Sequence, residues 1–465
     1  MDKEVANTTE KQRKRTFLHL LVNTLFVSVI DFTAWFAITF YVYLQTQSVF
    51  ATAMIAGIYL VFIAATGIWF GSLVDHHKKK TMIQVSNITS LVFYLAALAV
   101  YLLIPHEAFK DPGNIWLWTL ILLTMIGVII GNIRTIVLPT MVTLLIPEDK
   151  RDKANGLVGT ASGTSFLVTS VISGLLVAAG GMLYALLLAV AIILVGIIHI
   201  WFITIPEKEI IHIGDDDTKK VDLKGTYKIV KGVPGLFALI LFSTFNNFLG
   251  GAFMALMDAY GLSMMSVQAW GLLWGVLSTG FIVGGIIIAK TGLGKNPIKA
   301  LLLANIAMWT ITILFPLQAS IIMLVIGLYI YMLLVPYVEA AEQTVLQKVV
   351  PYERQGRVFG FAQSIEQSAS PLTAFLIGPI AQFIFIPFMT TGAGVGLIGG
   401  WFGTGQARGL ALVFILTAVI GLVATILALG SKYYRQLSKR YLEKSDINAP
   451  TPPTHSEAAN GGLLK

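Results

Sequence analysis

The chain has 465 residues, 56% of them hydrophobic and only 12% charged, with a mean hydropathy of +0.79 and a net charge of +8. An ordinary soluble domain carries about 25% charged residues, so the composition is that of a polytopic membrane protein, and the basic excess reflects topology, not nucleic-acid binding. Cysteine is absent, which excludes disulfide frameworks and thiolate metal sites.

In chain order, a polar, basic segment (residues 1–16) precedes an apolar run with no small-residue cleavage site, so a retained first span is expected, not a signal peptide. Runs long enough to cross a bilayer, about 20 residues each, lie at Phe17–Leu44, Ala51–Leu73, Met82–Ile104, Ile115–Leu145, Ala154–Ala179 and Met182–Ile205. After a polar stretch, six more follow at Pro234–Met257, Trp270–Ala289, Ile298–Leu317, Ile321–Gln347, Val358–Phe385 and Leu410–Gly430. The expected fold is an all-α membrane protein of twelve transmembrane helices in two pseudo-symmetric six-helix bundles. Its parts are an N-terminal segment (1–16), a first bundle (17–205), a linker (206–233), a second bundle (234–430) and a tail (431–465) whose Pro-rich end has the composition of disorder. The apolar, Gly-rich segment 387–409 lies between the last two spans and is unassigned.

Lys and Arg alternate with the spans. Lys3, Lys11, Arg13 to Arg15, Lys78 to Lys80, Lys150, Arg151, Lys153, six lysines from Lys208 to Lys231, Lys290, Lys295, Lys299, Lys348, Arg354, Arg357 and the tail fall on one side; Lys110 and Arg408 fall on the other. By the positive-inside rule both termini are cytoplasmic, and the protein is expected in the cell membrane. Trp116, Trp118, Trp201, Trp270, Tyr433 and Tyr434 near span ends read as interfacial belt residues.

The halves repeat. "IPEDKRDKANGL" (Ile146–Leu157) aligns with "VPYERQGRVFGF" (Val350–Phe361), each between the fourth and fifth spans of its half, and the same offset sets Gly174 on Gly378. "GSLVDHHKKK" at Gly71 aligns loosely with "GIIIAKTGLGK" at Gly285. A six-plus-six duplication is the simplest account.

Twelve spans, a central polar loop and a charged hinge after span two resemble the major facilitator superfamily over nearly the whole chain. Its hinge signature, G-x-L-x-D-R-x-G-R-K, is matched by Gly71, Leu73, Asp75, Lys79 and Lys80, with His76 where Arg is usual and Lys78 where Gly is usual. The stretches after spans four and ten look like the macrolide and multidrug efflux branch, although span five lacks the Gly-Pro pair that drug antiporters often carry. By similarity to the family, Asp75 engages the start of span eleven near Arg357 and latches the halves. Gly71 allows close helix approach, and the lysines hold the hinge at the anionic inner surface. His76 and His77 read as bland loop residues, with no third metal ligand spaced nearby.

A charge at mid-span costs about 2.5–3.5 kcal/mol on insertion scales and calls for a partner or a wet cavity. Asp31 in span one and Arg134 in span four lie at depths differing by about 5 Å at 1.5 Å per residue, so they could pair. The resemblance places spans one, four, seven and ten around the cavity. Asp31 then binds a proton or a cationic substrate against Arg134; a static ion pair is the alternative. In span ten Glu339 and Glu342 share a face; Glu339 is the deeper candidate for protonation, and Glu342 serves either coupling or a contact with Lys348. Glu366 in span eleven serves packing or coupling. Asn246 and Asn247 in span seven supply a cavity or glue helices, and Asp258 marks the outer mouth. Gly67 with Gly71, Gly127 with Gly131, and Gly280 with Gly284 read as helix-packing pairs.

The functional expectation is a secondary transporter working by alternating access: a proton-coupled exporter of amphipathic small molecules, acting as a monomer and without cofactor or metal. A lipid or lysolipid flippase, or a solute uptake symporter, shares the fold. A membrane enzyme would need a nucleophile with its base, and no such constellation lies at membrane depth.

Overall fold

The computed structural model describes residues 9–46, 49–207 and 223–447, and among these the secondary structure is helical throughout. Eleven helical stretches are long and apolar enough to cross a membrane. One of them, 55 residues long, is broken at Gly180–Gly181 and contains the fifth and sixth spans. Gly181 sits at φ 59°, where a side chain is disfavoured, and an added Cβ would come within 2.9 Å of the Tyr101 hydroxyl. Two glycines thus make the whole turn between spans.

The spans are one, Glu10–Thr46; two, Val49–His76; three, Lys79–Leu103; and four, Ile115–Gly131 continued by Ile133–Leu145. Arg151–Phe202 forms five and six; Leu236–Leu262 is seven, Val267–Thr291 eight, Pro297–Leu314 nine, Ile321–Val349 ten, Gln355–Ile380 eleven and Gln406–Gly430 twelve. Side-chain caps fix several starts: Asn114, Ser266, Asn296 and Ser320 each accept a first-turn amide, satisfying donors that the helix leaves unpaired.

Three features depart from the expected outline. Span four is not one uninterrupted helix: it breaks at Asn132, whose amide bonds back to Ile129 while its carbonyl accepts from Thr135. The linker contains a helix, Leu223–Gly232, and the tail a second, Lys432–Ile447; linker residues 208–222, the terminal part of the tail (448–465) and residues 1–8 lie outside the described residues. Segment 387–409 folds into short helices at Ile386–Thr390, Ala393–Leu397 and Gly399–Phe402, following a π-turn at Ala381–Phe385.

Spans one to six pack among themselves, as do seven to twelve, and the halves meet through span two against eleven and span five against eight and ten. Glycines set this seam. A Cβ on Gly71 would strike the Gly356 carbonyl, one on Gly67 would lie 2.6 Å from Ser364 Oγ, and one on Gly156 would lie 2.6 Å from the Ala289 amide. Backbone-to-backbone approach of this kind is what small residues permit in membrane helices. At the opposite end, Cβ atoms on Gly174, Gly275 and Gly378, in spans five, eight and eleven, would meet nothing within 4 Å. The close glycine contacts between the halves thus gather toward the lysine-rich end.

Gly71→Val should force spans two and eleven apart. With no native cysteine to interfere, spin labels at Lys78→Cys and Glu353→Cys should report a longer, broader distance distribution in Gly71→Val than in its absence. An unchanged distribution would show that the glycine contact does not hold the seam.

Candidate functional site

The seam at the lysine-rich end is built around Asp75, whose side chain is 2% exposed. Its Oδ1 accepts from the Gly356 amide at 2.7 Å and its Oδ2 from the Arg357 amide at 2.8 Å. These are early amides of span eleven, where the helix dipole favours a carboxylate by about 0.3–1 kcal/mol, and more when partly buried. Arg357 Nε lies 3.8 Å from Oδ2. His76 is not a bland loop residue: its Nδ1 contacts the Ser72 carbonyl at 2.9 Å and its Nε2 meets Arg357 Nη2 at 2.7 Å. A carbonyl only accepts and a guanidinium only donates, so His76 is neutral with its proton on Nδ1, and it orients the arginine.

Nor do both hinge lysines face the lipid surface. Lys79 is 5% exposed and lies 5.3 Å above the Tyr352 ring. Lys80 Nζ closes the end of span six through the carbonyls of Trp201 (3.2 Å) and Ile203 (2.7 Å). The Glu207 carboxylate caps span three, accepting the amides of Lys79 and Lys80 at 2.5 and 2.7 Å. Leu73 packs half-buried against the core.

A second seam has no counterpart in the expected site. Asn155 and Gln347 exchange side-chain hydrogen bonds at 3.0 and 3.2 Å across the two halves. Asn155 also donates to Thr344 (2.8 Å) and Gln347 to the Pro139 carbonyl (3.1 Å). Arg151 Nη1 reaches the Gln347 carbonyl at 3.2 Å, and Asp152 accepts the Leu293 amide at 2.8 Å. Lys348 pairs with Glu148 at 3.0 Å, beneath the Tyr441 ring of the tail helix at 4.1 Å. Thr135, exposed, and Gln363 bond at 3.0 Å and form the uppermost of these bridges.

The membrane-embedded charges fall into two sets. In the first half, Asp31 is 8% exposed and accepts from the Tyr94 hydroxyl at 2.9 Å. Gly127 and Gly131 do more than pack helices: a Cβ on the first would strike the Tyr94 ring, and one on the second the Asp31 carboxylate. Arg134, 3% exposed, donates to Asn23 Oδ1 at 3.0 Å and to Asn87 Oδ1. Among the described residues Asp31 and Arg134 form no direct ion pair. Both are turned into the bundle toward span three and bond to neutral partners, with Arg134 Nε left buried and without a partner.

In the second half, Glu339 is exposed, whereas Glu342 and Glu366 are half-buried. Glu342 accepts from Ser243 Oγ at 2.9 Å. Asn246 is committed to span nine, accepting from Trp309 Nε1 at 3.0 Å and donating to the Phe242 carbonyl at 2.9 Å. Asn247 is half-buried beside span eleven, its carbonyl accepting from Ser370 Oγ at 3.3 Å. Asp258 accepts from Trp270 Nε1 at 2.8 Å.

A bundle that is sealed by a carboxylate on a helix start at one end, and that carries charges at membrane depth in both halves, has the construction of a carrier. The Major Facilitator Superfamily profile matches residues 20–374. The chain belongs to this superfamily. It is an integral membrane transporter of a small-molecule substrate. Macrolide efflux protein A of Streptococcus pyogenes is 25% identical over 366 residues, covering 75% of this chain and 85% of that protein. Macrolide efflux protein A of Enterococcus faecalis is 26% identical over 332 residues, covering 68% and 94%. Among solved structures, a bacterial homologue of the iron transporter ferroportin in an outward-facing state superposes with a TM-score of 0.65 at 14% identity, covering 90% of this chain and 100% of that one. That likeness speaks to the fold alone.

Gln347→Leu leaves the Asn155 side-chain oxygen without its donor and removes the donor to Pro139. An unsatisfied buried polar group costs about 1–3 kcal/mol, so the sealed state should lose roughly tenfold in population. Spin labels at Lys78→Cys and Glu353→Cys would read this as a second, longer-distance population; its absence would show that the amide exchange contributes nothing to closure.

Proposed function

We propose that this transporter exports cationic amphipathic compounds of the macrolide kind in exchange for protons. The lysine-rich end faces the cytoplasm, in keeping with retention of basic loops there. The halves 17–205 and 234–430, joined by the linker 206–233, rock about the midplane, while segment 1–16 and the tail 431–465 stay cytoplasmic.

The observation that carries this reading is Glu339, an exposed carboxylate about 15 Å from the lysine-rich end of span ten at 1.5 Å per residue. An acid at that depth needs a counter-charge or a wet cavity, and a cationic substrate or a proton supplies the first. Behind it, one helical turn along span ten, Glu342 accepts from Ser243 Oγ at 2.9 Å. A cationic substrate arriving at Glu339 would place a positive charge beside these carboxyl groups and favour release of a proton bound there. Asp31 is the corresponding proton site of the first half, with Tyr94 as its hydrogen-bond donor. Similarity to two macrolide efflux proteins supports the substrate class.

An apolar hollow of about 200 Å³ lined by Phe40, Leu44, Gly174, Val177 and Ala178 favours a second reading, in which a lipid or lysolipid enters between spans one and five and is flipped.

Export of a macrolide and of a lipophilic cation from cells expressing the wild type, Glu339→Gln and Asp31→Asn, with and without a protonophore, tests the proposal. The protonophore and Glu339→Gln should each reduce export at least tenfold. Full export by Glu339→Gln would remove that carboxylate from the mechanism, and movement of a labelled lysolipid without drug export would establish the second reading.

A further inference from the structure

The tail helix, Lys432–Ile447, lies against the lysine-rich end of the second half. Ser431 turns the chain out of span twelve, and its hydroxyl accepts the Tyr434 amide at 3.2 Å, so the new helix starts on a side-chain cap. Tyr434, Leu437, Ser438 and Tyr441 follow at the three- and four-residue spacing that makes one helical face, and the last three are buried. Lys432, Arg435, Lys439 and Arg440 are exposed. The helix packs on spans seven, nine, ten and twelve.

Two contacts fix it there. At the start of span seven Gly235 has φ 82°, and a Cβ on it would lie 2.8 Å from the Leu437 Cβ, so the helix seats where a side chain is missing. At the start of span nine Asn296 uses both ends of its amide: Oδ1 accepts the Lys299 amide at 3.2 Å, and Nδ2 donates to Ser438 Oγ at 2.6 Å. Both anchors belong to the second half. Tyr441, one turn beyond Leu437, reaches the seam. Its ring covers Lys348 Nζ at 4.1 Å, and that ammonium is paired at 3.0 Å with Glu148 of the first half. The Lys348 side chain is 4% exposed, against 33% for Glu148.

Ring and ammonium both travel with the second half, so their contact by itself favours neither arrangement of the halves. What differs is the carboxylate. With the halves together, the ammonium meets both the ring and Glu148 away from water, where an ion pair is stronger than on an open surface. With the halves apart, Lys348 keeps the ring and loses the carboxylate, and the ring occupies space that water would need to replace it.

We propose that the tail helix is a clasp on the inner seam. Held by Gly235 and Asn296, it places Tyr441 over Lys348 so that the ammonium is bound best when Glu148 lies against it, which biases the carrier toward the arrangement in which the halves meet at the lysine-rich end. Tyr441 is the positioning residue. Anchored to one half alone, the clasp needs no movement of its own, and it releases the first half when the ion pair breaks.

The test is a double-mutant cycle on the full chain in lipid nanodiscs, with spin labels at Lys78→Cys and Glu353→Cys, both exposed positions, reading the population in which the halves are apart. Tyr441→Leu keeps the buried face apolar and leaves Leu437 and Ser438 in place; it should raise the long-distance population about fivefold, the scale of one cation–π contact. Tyr441→Phe retains the ring and should match the wild type. In a Glu148→Gln background Tyr441→Leu should add nothing. An unchanged distribution in Tyr441→Leu, a Phe variant as open as the Leu variant, or a full effect of Tyr441→Leu without the Glu148 charge would each overturn the proposal. Ending the chain at Ser431 removes the whole helix and should open the seam at least as far as Tyr441→Leu; a shortened chain that stays closed would overturn it as well. No substrate enters the measurement, so failure of the clasp and failure of drug export are distinguishable.

Discussion

The closed end of this transporter depends on one buried carboxylate receiving two backbone amides. Asp75 is nearly inaccessible and its oxygens take the amides of Gly356 and Arg357, so spans two and eleven must approach until their backbones touch. That requirement explains Gly67 and Gly71 on one side and Gly356 and Gly360 on the other: any Cβ there would occupy the space of the facing backbone or of Asp75 itself. It also explains why the surrounding charges turn inward. Arg357 lies 3.8 Å from a carboxylate that has left water, and a buried charge is tolerated only when its neighbours complete its hydrogen bonding. Because the contact is made to a helix start and not to a side chain alone, it is sensitive to rigid-body separation. Small movements of one half would break both bonds together.

The span-level architecture was largely legible in the chain, because apolar length and lysine placement are one-dimensional signals. The boundary between spans five and six could be read from the interruption at Gly180–Gly181. What sequence spacing cannot supply is azimuth. Asp31 and Arg134 lie at similar depth, but depth does not say which way a side chain faces, and about 100° per residue separates a neighbour from a stranger. Their actual partners, Tyr94, Asn23 and Asn87, are neutral residues in apolar surroundings, where nothing but their polarity distinguishes them. Gly127 and Gly131 illustrate the same limit: small-residue spacing announces a missing Cβ, not whether a helix, a tyrosine ring or a carboxylate fills the space. The Asn155–Gln347 exchange joins residues 192 positions apart and leaves no local pattern at all. His76 was misjudged for another reason. Read as a loop residue, it has no visible acceptor or donor until span eleven is placed against it.

The two halves, although repeated in sequence, solve the problem of intramembrane charge in different ways. In the first, Asp31 and Arg134 are buried and bond to neutral polar groups, Tyr94 for the one and Asn23 and Asn87 for the other. In the second, Glu339 is exposed and Glu342 accepts from Ser243 Oγ. A buried pair is harder to reach than an exposed acid, which meets whatever lies beside it. The seams joining the halves run between spans two and eleven and between spans five and both eight and ten. Thr135 sits where these systems meet: it follows the break at Asn132, adjoins Arg134, and bonds to Gln363 across the seam. Any shift of Arg134 along the broken helix would therefore act on a contact between the halves, with no need for a longer path through the protein.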